Sequence, residues 1–224
     1  MSKAGGGRGL RLPCLSLVTD RSRCQARPLE EIVALAMEGG VTLVQLREKD
    51  LPGGELYDLA LSLRAVVHGR GLLFVNDRVD VAQACGADGV HLPERGLPIR
   101  IVRELVGESL LIGRSVHSVE AAVRAQREGA DFVQVGTVFA TRSKPGVEPA
   151  GPEIVQSVRE AVSIPVLAIG GIDTTNVSKV MSAGADGVAV ISAIMDAEDP
   201  RAAARKLWEA VSEAWVGPPT GARR

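Results

Sequence analysis

The chain has 224 residues, of which 46% are hydrophobic, 24% charged and 3% aromatic, with 25 glycines. Lys plus Arg number 26 against 27 Asp plus Glu, a formal net charge of -1. This composition supports a sizeable core, excludes intrinsic disorder, and offers neither a nucleic-acid footprint nor a polybasic membrane anchor.

Three scattered cysteines, Cys14, Cys24 and Cys85, form no metal-type cluster and point to a reducing, cytoplasmic setting. No apolar run is long enough to span a bilayer, and no secretory leader pattern opens the chain. Residues 1–12 are rich in Gly and Arg and read as a tail. Residues 216–224, with two prolines, read the same way. No linker or charge block interrupts residues 13–215, so one domain is expected there.

In chain order, short β-branched apolar runs recur at Leu15–Thr19, Thr42–Leu46, Leu72–Val75, Gly89–Leu92, Leu110–Ile112, Phe132–Val135, Val166–Ile169 and Gly187–Ile191. Continuous runs of this kind suit strands buried on both faces of a parallel sheet. Between them lie amphipathic helical spacings: Leu56, Leu59, Leu63 and Val66, then Val119, Ala122, Val123 and Ala125, and finally Leu207, Val211 and Ala214. The phrase Gly-Ala-Asp opens at Gly86, Gly129 and Gly184, with a looser version at Glu38-Gly39-Gly40-Val41. Each marks a helix stop before a strand, with the Asp expected to bond turn amides rather than to catalyse. Eight strands alternating with helices predict a single-domain (β/α)8 TIM barrel, in preference to a flavodoxin-like open sheet.

Barrel enzymes carry their chemistry at the C-terminal ends of the strands. After the second strand, alternation puts Gln45, Arg47 and Lys49 on one side, a set suited to an oxyanion such as diphosphate. Taken alone, the same residues read as a solvated loop. The third strand ends in Asn76-Asp77, where Asp77 either caps the next helix or ligates Mg²⁺. Past the fifth run stand Ser115 and His117, with Ser118 as a helix N-cap. His117 is one of three histidines and suits proton transfer or donation to a phosphate. The long loop after the sixth strand holds Thr141, Ser143 and Lys144 and reads as a phosphate or diphosphate clamp. Gly170-Gly171 after the seventh run and Ile191-Ser192 after the eighth offer bare amides where such barrels bind phosphate.

Together, QLREKD at 45–50, VND at 75–77, GADGVHL at 86–92, GRSVHS at 113–118, GTVFATRSKPG at 136–146, AIGGI at 168–172 and GADGVAVISAI at 184–194 resemble thiamine-phosphate synthase and its relative, the TenI thiazole tautomerase. The resemblance spans about residues 13–212. For a synthase it implies a diphosphate-releasing transferase that joins hydroxymethylpyrimidine diphosphate to thiazole phosphate, forming thiamine phosphate. It implies that Gln45, Arg47, Lys49 and Asn76 bind the pyrimidine diphosphate and that Asp77 holds Mg²⁺. Ser115 and Lys144 face the diphosphate in this reading. Thr141, Ser143, Gly171, Ile191 and Ser192 surround the thiazole phosphate. Lys144, Arg47, Lys49, Ser115 and His117 are the residues assigned to catalysis.

One position departs from the family pattern. Gly96 stands where synthases carry the second Mg²⁺-ligating Asp, and Glu94 is the nearby substitute. A TenI-like reading makes His117 the acid–base residue of a metal-free isomerisation of thiazole carboxylate phosphate. A third reading is a non-catalytic barrel that binds phosphorylated thiazole or thiamine. The joint presence of Gln45, Arg47, Lys49, Asn76 and Asp77 favours the synthase. Small-molecule substrates are the expected partners, without nucleic acid or membrane, and a homo-oligomer is compatible with the sequence.

Overall fold

The apolar runs form eight parallel strands: β1 Cys14–Val18, β2 Leu43–Leu46, β3 Leu72–Asn76, β4 Gly89–Leu92, β5 Leu111–Val116, β6 Phe132–Val135, β7 Val166–Ile169 and β8 Gly187–Val190. In the computed structural model they close into a barrel in sequence order, with β8 pairing back onto β1. The structure describes residues 9–24, 27–141, 146 and 148–217. The expected (β/α)8 TIM barrel is therefore the observed fold.

The covering helices are α1 Leu29–Glu38, α2 Gly53–Val67, α3 Val79–Ala84, α4 Ile99–Val106, α5 Val119–Arg127, α6 Glu153–Ala161, α7 Val177–Ser182, the one-turn α8 Ser192–Met195, and α9 Pro200–Ala214. Ser118 caps α5 as expected, its hydroxyl accepting from the Ala121 amide at 3.2 Å. The buried stripe of α2 is Leu56, Ala60, Leu63 and Val67, so the helix is rotated slightly from the expected Leu59 and Val66 facing. Among the described residues, no helix is long and apolar enough to cross a membrane.

The Gly-Ala-Asp junctions fix the strands from below in a manner the repeat alone does not reveal. Asp88 donates its amide to the Leu73 carbonyl at 2.9 Å, and its carboxylate accepts the Leu73 amide at 2.8 Å. Asp131 does the same to Ile112 at 2.8 and 2.6 Å, and Asp186 to Val166 at 2.8 and 2.9 Å. The bonded amides thus belong to the preceding strand and not to the Asp's own turn. Each carboxylate also meets an arginine from the helix before that strand pair: Arg64 at 3.5 Å, Arg103 at 2.7 Å and Arg159 at 3.5 Å. In the looser fourth copy Thr42 takes the place of Asp, exchanging both bonds with Leu15 at 2.9 and 3.3 Å.

The lower barrel interior is filled by Cys14, Leu43, Phe74, Phe132 and Leu167. Phe74 and Phe132 meet edge to face with centroids 5.5 Å apart. They fit because the neighbouring strands place glycines beside them. A Cβ on Gly89 would lie 2.3 Å from the Phe74 ring, and one on Gly113 would lie 2.3 Å from Phe132. Two of the three phenylalanines therefore occupy this layer. Leu10 and Leu12 pack against the same cluster, so these residues close the barrel's lower end and are not part of a tail. Residues 1–8 and 218–224 of the expected tails lie outside the described residues.

Candidate active site

Above the aromatic layer the barrel interior turns polar. The register sets Asn76 beside His91 and Ser115 beside Gln134, and Gln45 Nε2 donates to Asn76 Oδ1 at 3.2 Å. Gln45, Asn76, Ser115 and Gln134 form the floor of a cleft of about 180 Å³ at the C-terminal end, walled by Val18, Ile169 and Ile191. Of the expected residues, Gln45, Arg47, Lys49, Asn76, Ser115 and His117 all line this cleft. Ser115 lies within β5, which runs on to Val116, and not past the strand as its short apolar run suggests. The extended strand carries it into the barrel, where it is half-buried.

A second cavity of about 60 Å³ adjoins the first, and Ile169 and Ile191 line both. Its walls include Thr137, Thr141, Gly170, Gly171 and Ser192. Gly171 has φ 62°, and a Cβ there would strike the Ala140 carbonyl at 2.3 Å. Only glycine lets these two loops approach so closely. Ser143 and Lys144 lie outside the described residues, while Thr141 is placed on this second cavity.

The loop that carries the two cations is anchored by a buried carboxylate between them. Glu48 is 7% exposed and accepts from Thr19 Oγ1 at 2.6 Å and from the Arg21 amide at 3.0 Å. Thr19 Oγ1 in turn accepts the Arg47 amide at 3.0 Å. Burial raises the Glu48 carboxyl above the ordinary range, against the opposing pull of its bonds from Thr19 and Arg21. No salt bridge engages Arg47 or Lys49 among the described residues, which leaves both cations for an anionic ligand.

Asp77 follows β3 in a left-handed backbone conformation, φ 64°, with its amide donating to the His91 carbonyl at 2.9 Å. A Cβ on Gly96 would lie 3.0 Å from Asp77 Oδ1, so the glycine sits directly against this carboxylate. Glu94 is committed elsewhere: Oε2 meets His117 Nδ1 at 2.7 Å and Oε1 accepts the His117 amide at 3.3 Å. Arg114 donates to the Glu94 and Leu97 carbonyls at 3.1 and 2.9 Å, fixing the loop around Gly96. Among the described residues, no three His, Cys, Asp or Glu side chains gather as a metal cage.

Two residues escaped the sequence reading, Gln134 on the cleft floor and His91 beneath it. Gln134 is 4% exposed and lines the cleft. Its signal was a lone amide at an inward position of an otherwise apolar strand, Phe132-Val133-Gln134-Val135. His91 is 1% exposed, and its Nε2 lies 2.9 Å from Ser115 Oγ. Burial drives its pKa down to about 3, with Arg114 and Arg47 adding repulsion, so the ring is neutral.

Known proteins resemble the whole of this architecture. The family described as Thiamine monophosphate synthase matches residues 15–194. A thiamine-phosphate synthase of Methanoculleus marisnigri is 48% identical over 202 residues, covering 89% of this chain and 96% of that protein. One of Clostridium tetani is 42% identical over 194 residues, covering 86% and 93%. The solved thiamine phosphate pyrophosphorylase of Pyrococcus furiosus superposes with a TM-score of 0.83 at 42% identity, covering 91% of this chain and 97% of its own. A 3-hexulose-6-phosphate synthase structure, at 19% identity and TM-score 0.67, shares the fold alone. With a match of this extent, identity above 40% and the same barrel, the chain belongs to the thiamine monophosphate synthase family.

Proposed function

We propose that this protein joins hydroxymethylpyrimidine diphosphate to thiazole phosphate, releasing diphosphate and forming thiamine phosphate. The observation that carries this reading is the pair of adjoining cavities divided by Ile169 and Ile191, one amide-floored and cationic, the other lined by small residues and hydroxyls. Such a pair holds two ligands side by side, which supplies the proximity that a two-substrate reaction needs.

In the reaction the bond from the pyrimidine's exocyclic carbon to the diphosphate oxygen breaks, and the electron pair leaves with diphosphate. The thiazole nitrogen then donates its lone pair to that carbon, forming the new C–N bond. No proton is gained or lost, so the protein's main task is to stabilise the departing charge. Arg47 and Lys49 serve this purpose at the cleft rim, and the Asn76 amide and Ser115 hydroxyl face the same space. Ser143 and Lys144 are assigned to the same ligands by family resemblance.

The Asp77 carboxylate fits a magnesium ion. It accepts no hydrogen bond among the described residues, and Gly96 beside it brings no side chain to cover it. Mg²⁺ is ordinarily held by one or two carboxylates together with substrate phosphates and water. One protein carboxylate and a diphosphate satisfy that requirement, without help from Glu94. Bound there, Mg²⁺ would neutralise charge on the leaving diphosphate.

The Glu94–His117 contact favours one second reading, in which His117 moves a proton on thiazole carboxylate phosphate as in TenI. Incubating the purified protein with both phosphorylated precursors and Mg²⁺ separates the two. Thiamine phosphate and one equivalent of diphosphate are expected. Absence of product, with conversion of the thiazole carboxylate tautomer, would establish the second reading instead.

A further inference from the structure

We propose that His91 is a positioning residue that sets the direction of the Ser115 hydroxyl: its Nε2–H donates to Ser115 Oγ, so the Ser115 proton is presented to the cleft. This rests on the diphosphate reading of the cleft given above.

The argument begins with the donor inventory. A serine hydroxyl has one proton and two lone pairs, and a neutral imidazole has one N–H and one bare nitrogen. If Ser115 donated to His91, its only proton would be spent on the protein and its oxygen would offer lone pairs alone to the ligand. An oxyanion needs a donor, so that polarity would repel it. With the reverse polarity, Ser115 accepts from beneath and donates upward, toward the space it shares with Arg47 and Lys49.

The surroundings of the imidazole select the second arrangement. Nδ1 is fully buried and has no hydrogen-bond partner. It faces the backbone of Gly113, where a Cβ would come within 2.6 Å, and the ring lies tilted against Phe132 with centroids 5.7 Å apart. The proton therefore belongs on one of two nitrogens: Nδ1, which has no acceptor, or Nε2, which has the Ser115 oxygen. A buried donor without an acceptor is among the rarest features of folded proteins, and an idle lone pair is less costly. Full burial and the nearby guanidinium groups of Arg114 and Arg47 keep the ring from carrying both protons. The glycine at 113 has a second consequence: any side chain there would displace the ring from Ser115.

The test uses the full-length protein. In ¹⁵N-histidine-labelled protein, the resonance that disappears in His91→Gln should show the Nε2–H tautomer at neutral pH. Calorimetry with Mg²⁺ and inorganic diphosphate then measures the consequence. His91→Leu and Ser115→Ala should each weaken diphosphate binding roughly tenfold, as expected for loss of one charge-assisted bond. The double variant should be no weaker than Ser115→Ala alone, because His91 acts through Ser115. His91→Gln, which keeps an N–H donor, should recover most of the loss, and thiazole phosphate binding by His91→Leu should be unchanged.

An Nδ1–H tautomer, additive losses in the double variant, or wild-type affinity in His91→Leu would each overturn the role assigned to His91. Failure of the wild type to bind diphosphate at all would overturn the functional reading and this inference with it. If His91→Leu does not fold, the tautomer and the comparison of His91→Gln with wild type still decide the question.

Discussion

Asp77 is the only non-glycine residue among those described whose backbone is left-handed, with φ 64°. Aspartate and asparagine tolerate that conformation better than other side chains, and such positions gather where function demands a particular geometry. Asp77→Asn is accordingly a clean probe, since it keeps the backbone preference and the shape while removing the charge. Its melting temperature should stay within about 2 °C of wild type, while kcat/KM falls about 100-fold and half-saturating Mg²⁺ rises. A magnesium titration of the initial rate checks this. An unchanged half-saturation point would overturn the proposed magnesium role of Asp77. Gly96→Asp tests the same place in the opposite direction, because it adds a second carboxylate beside Asp77, whose Oδ1 must give way to a Cβ only 3.0 Å off. Half-saturating Mg²⁺ should then fall about tenfold. The cationic residues of this site were legible because Gln45, Arg47 and Lys49 alternate along one strand and its extension. Gln134 was not, since one amide among valines carries no local signal until the barrel shows which way it points.

At the scale of the element, the Gly-Ala-Asp junction shows how a short phrase can be recognised while its bonding is missed. The helix stop and strand start are local events, governed by glycine at positive φ, and they were readable at Gly86, Gly129 and Gly184. The partner of each Asp lies 15 to 20 residues back, on the strand beside the one it introduces. Only the parallel register brings those two together. The strongest copy is Asp131, whose partner Arg103 also donates to the carbonyls of Gly107, Leu110 and Gly129. Asp131→Ala leaves the Ile112 amide without its side-chain acceptor and removes the carboxylate that pairs with Arg103. It should cost about 1–3 kcal/mol, a fall of roughly 2–4 °C in melting temperature per kcal/mol for a chain of this size. Activity per folded molecule should be retained, because these junctions lie at the end of the barrel remote from the cleft. A loss of turnover without a loss of stability would show that the junctions reach the site.

Across the whole molecule, the four junctions repeat every second strand, at Thr42, Asp88, Asp131 and Asp186, and impose a fourfold pattern on the lower end. The upper end obeys no such repeat, because each βα loop there brings a different set of polar groups to the two cavities. That asymmetry explains why eight strands were legible from apolar runs while the end of β5 was not. Arg114, which holds the loop carbonyls of Glu94 and Leu97, and Ser115, which faces the cleft, are polar yet extended, and the sheet determines the strand. Glu48 joins the two demands most directly, since it is a buried carboxylate whose bonds to Thr19 and Arg21 tie β1 to the cation-bearing loop. Its folded-state pKa is raised, chiefly by burial. As pH rises from about 4.5, where an unfolded glutamate loses its proton, the folded protein still holds its own, so the unfolded state binds fewer protons and stability declines. The decline ends once pH has passed the folded-state value. Glu48→Gln cannot ionise and escapes that part of the decline. Measured by denaturant unfolding, its stability relative to wild type should therefore improve between pH 4.5 and pH 7. At pH 7 the same variant should bind the pyrimidine diphosphate about tenfold more weakly, because a neutral amide is a poorer acceptor for the Arg21 amide and for the Thr19 hydroxyl that positions Arg47. A stability difference that stays constant with pH would show that Glu48 is not titrating in the folded barrel. Unchanged affinity would show that Arg47 holds its place without it.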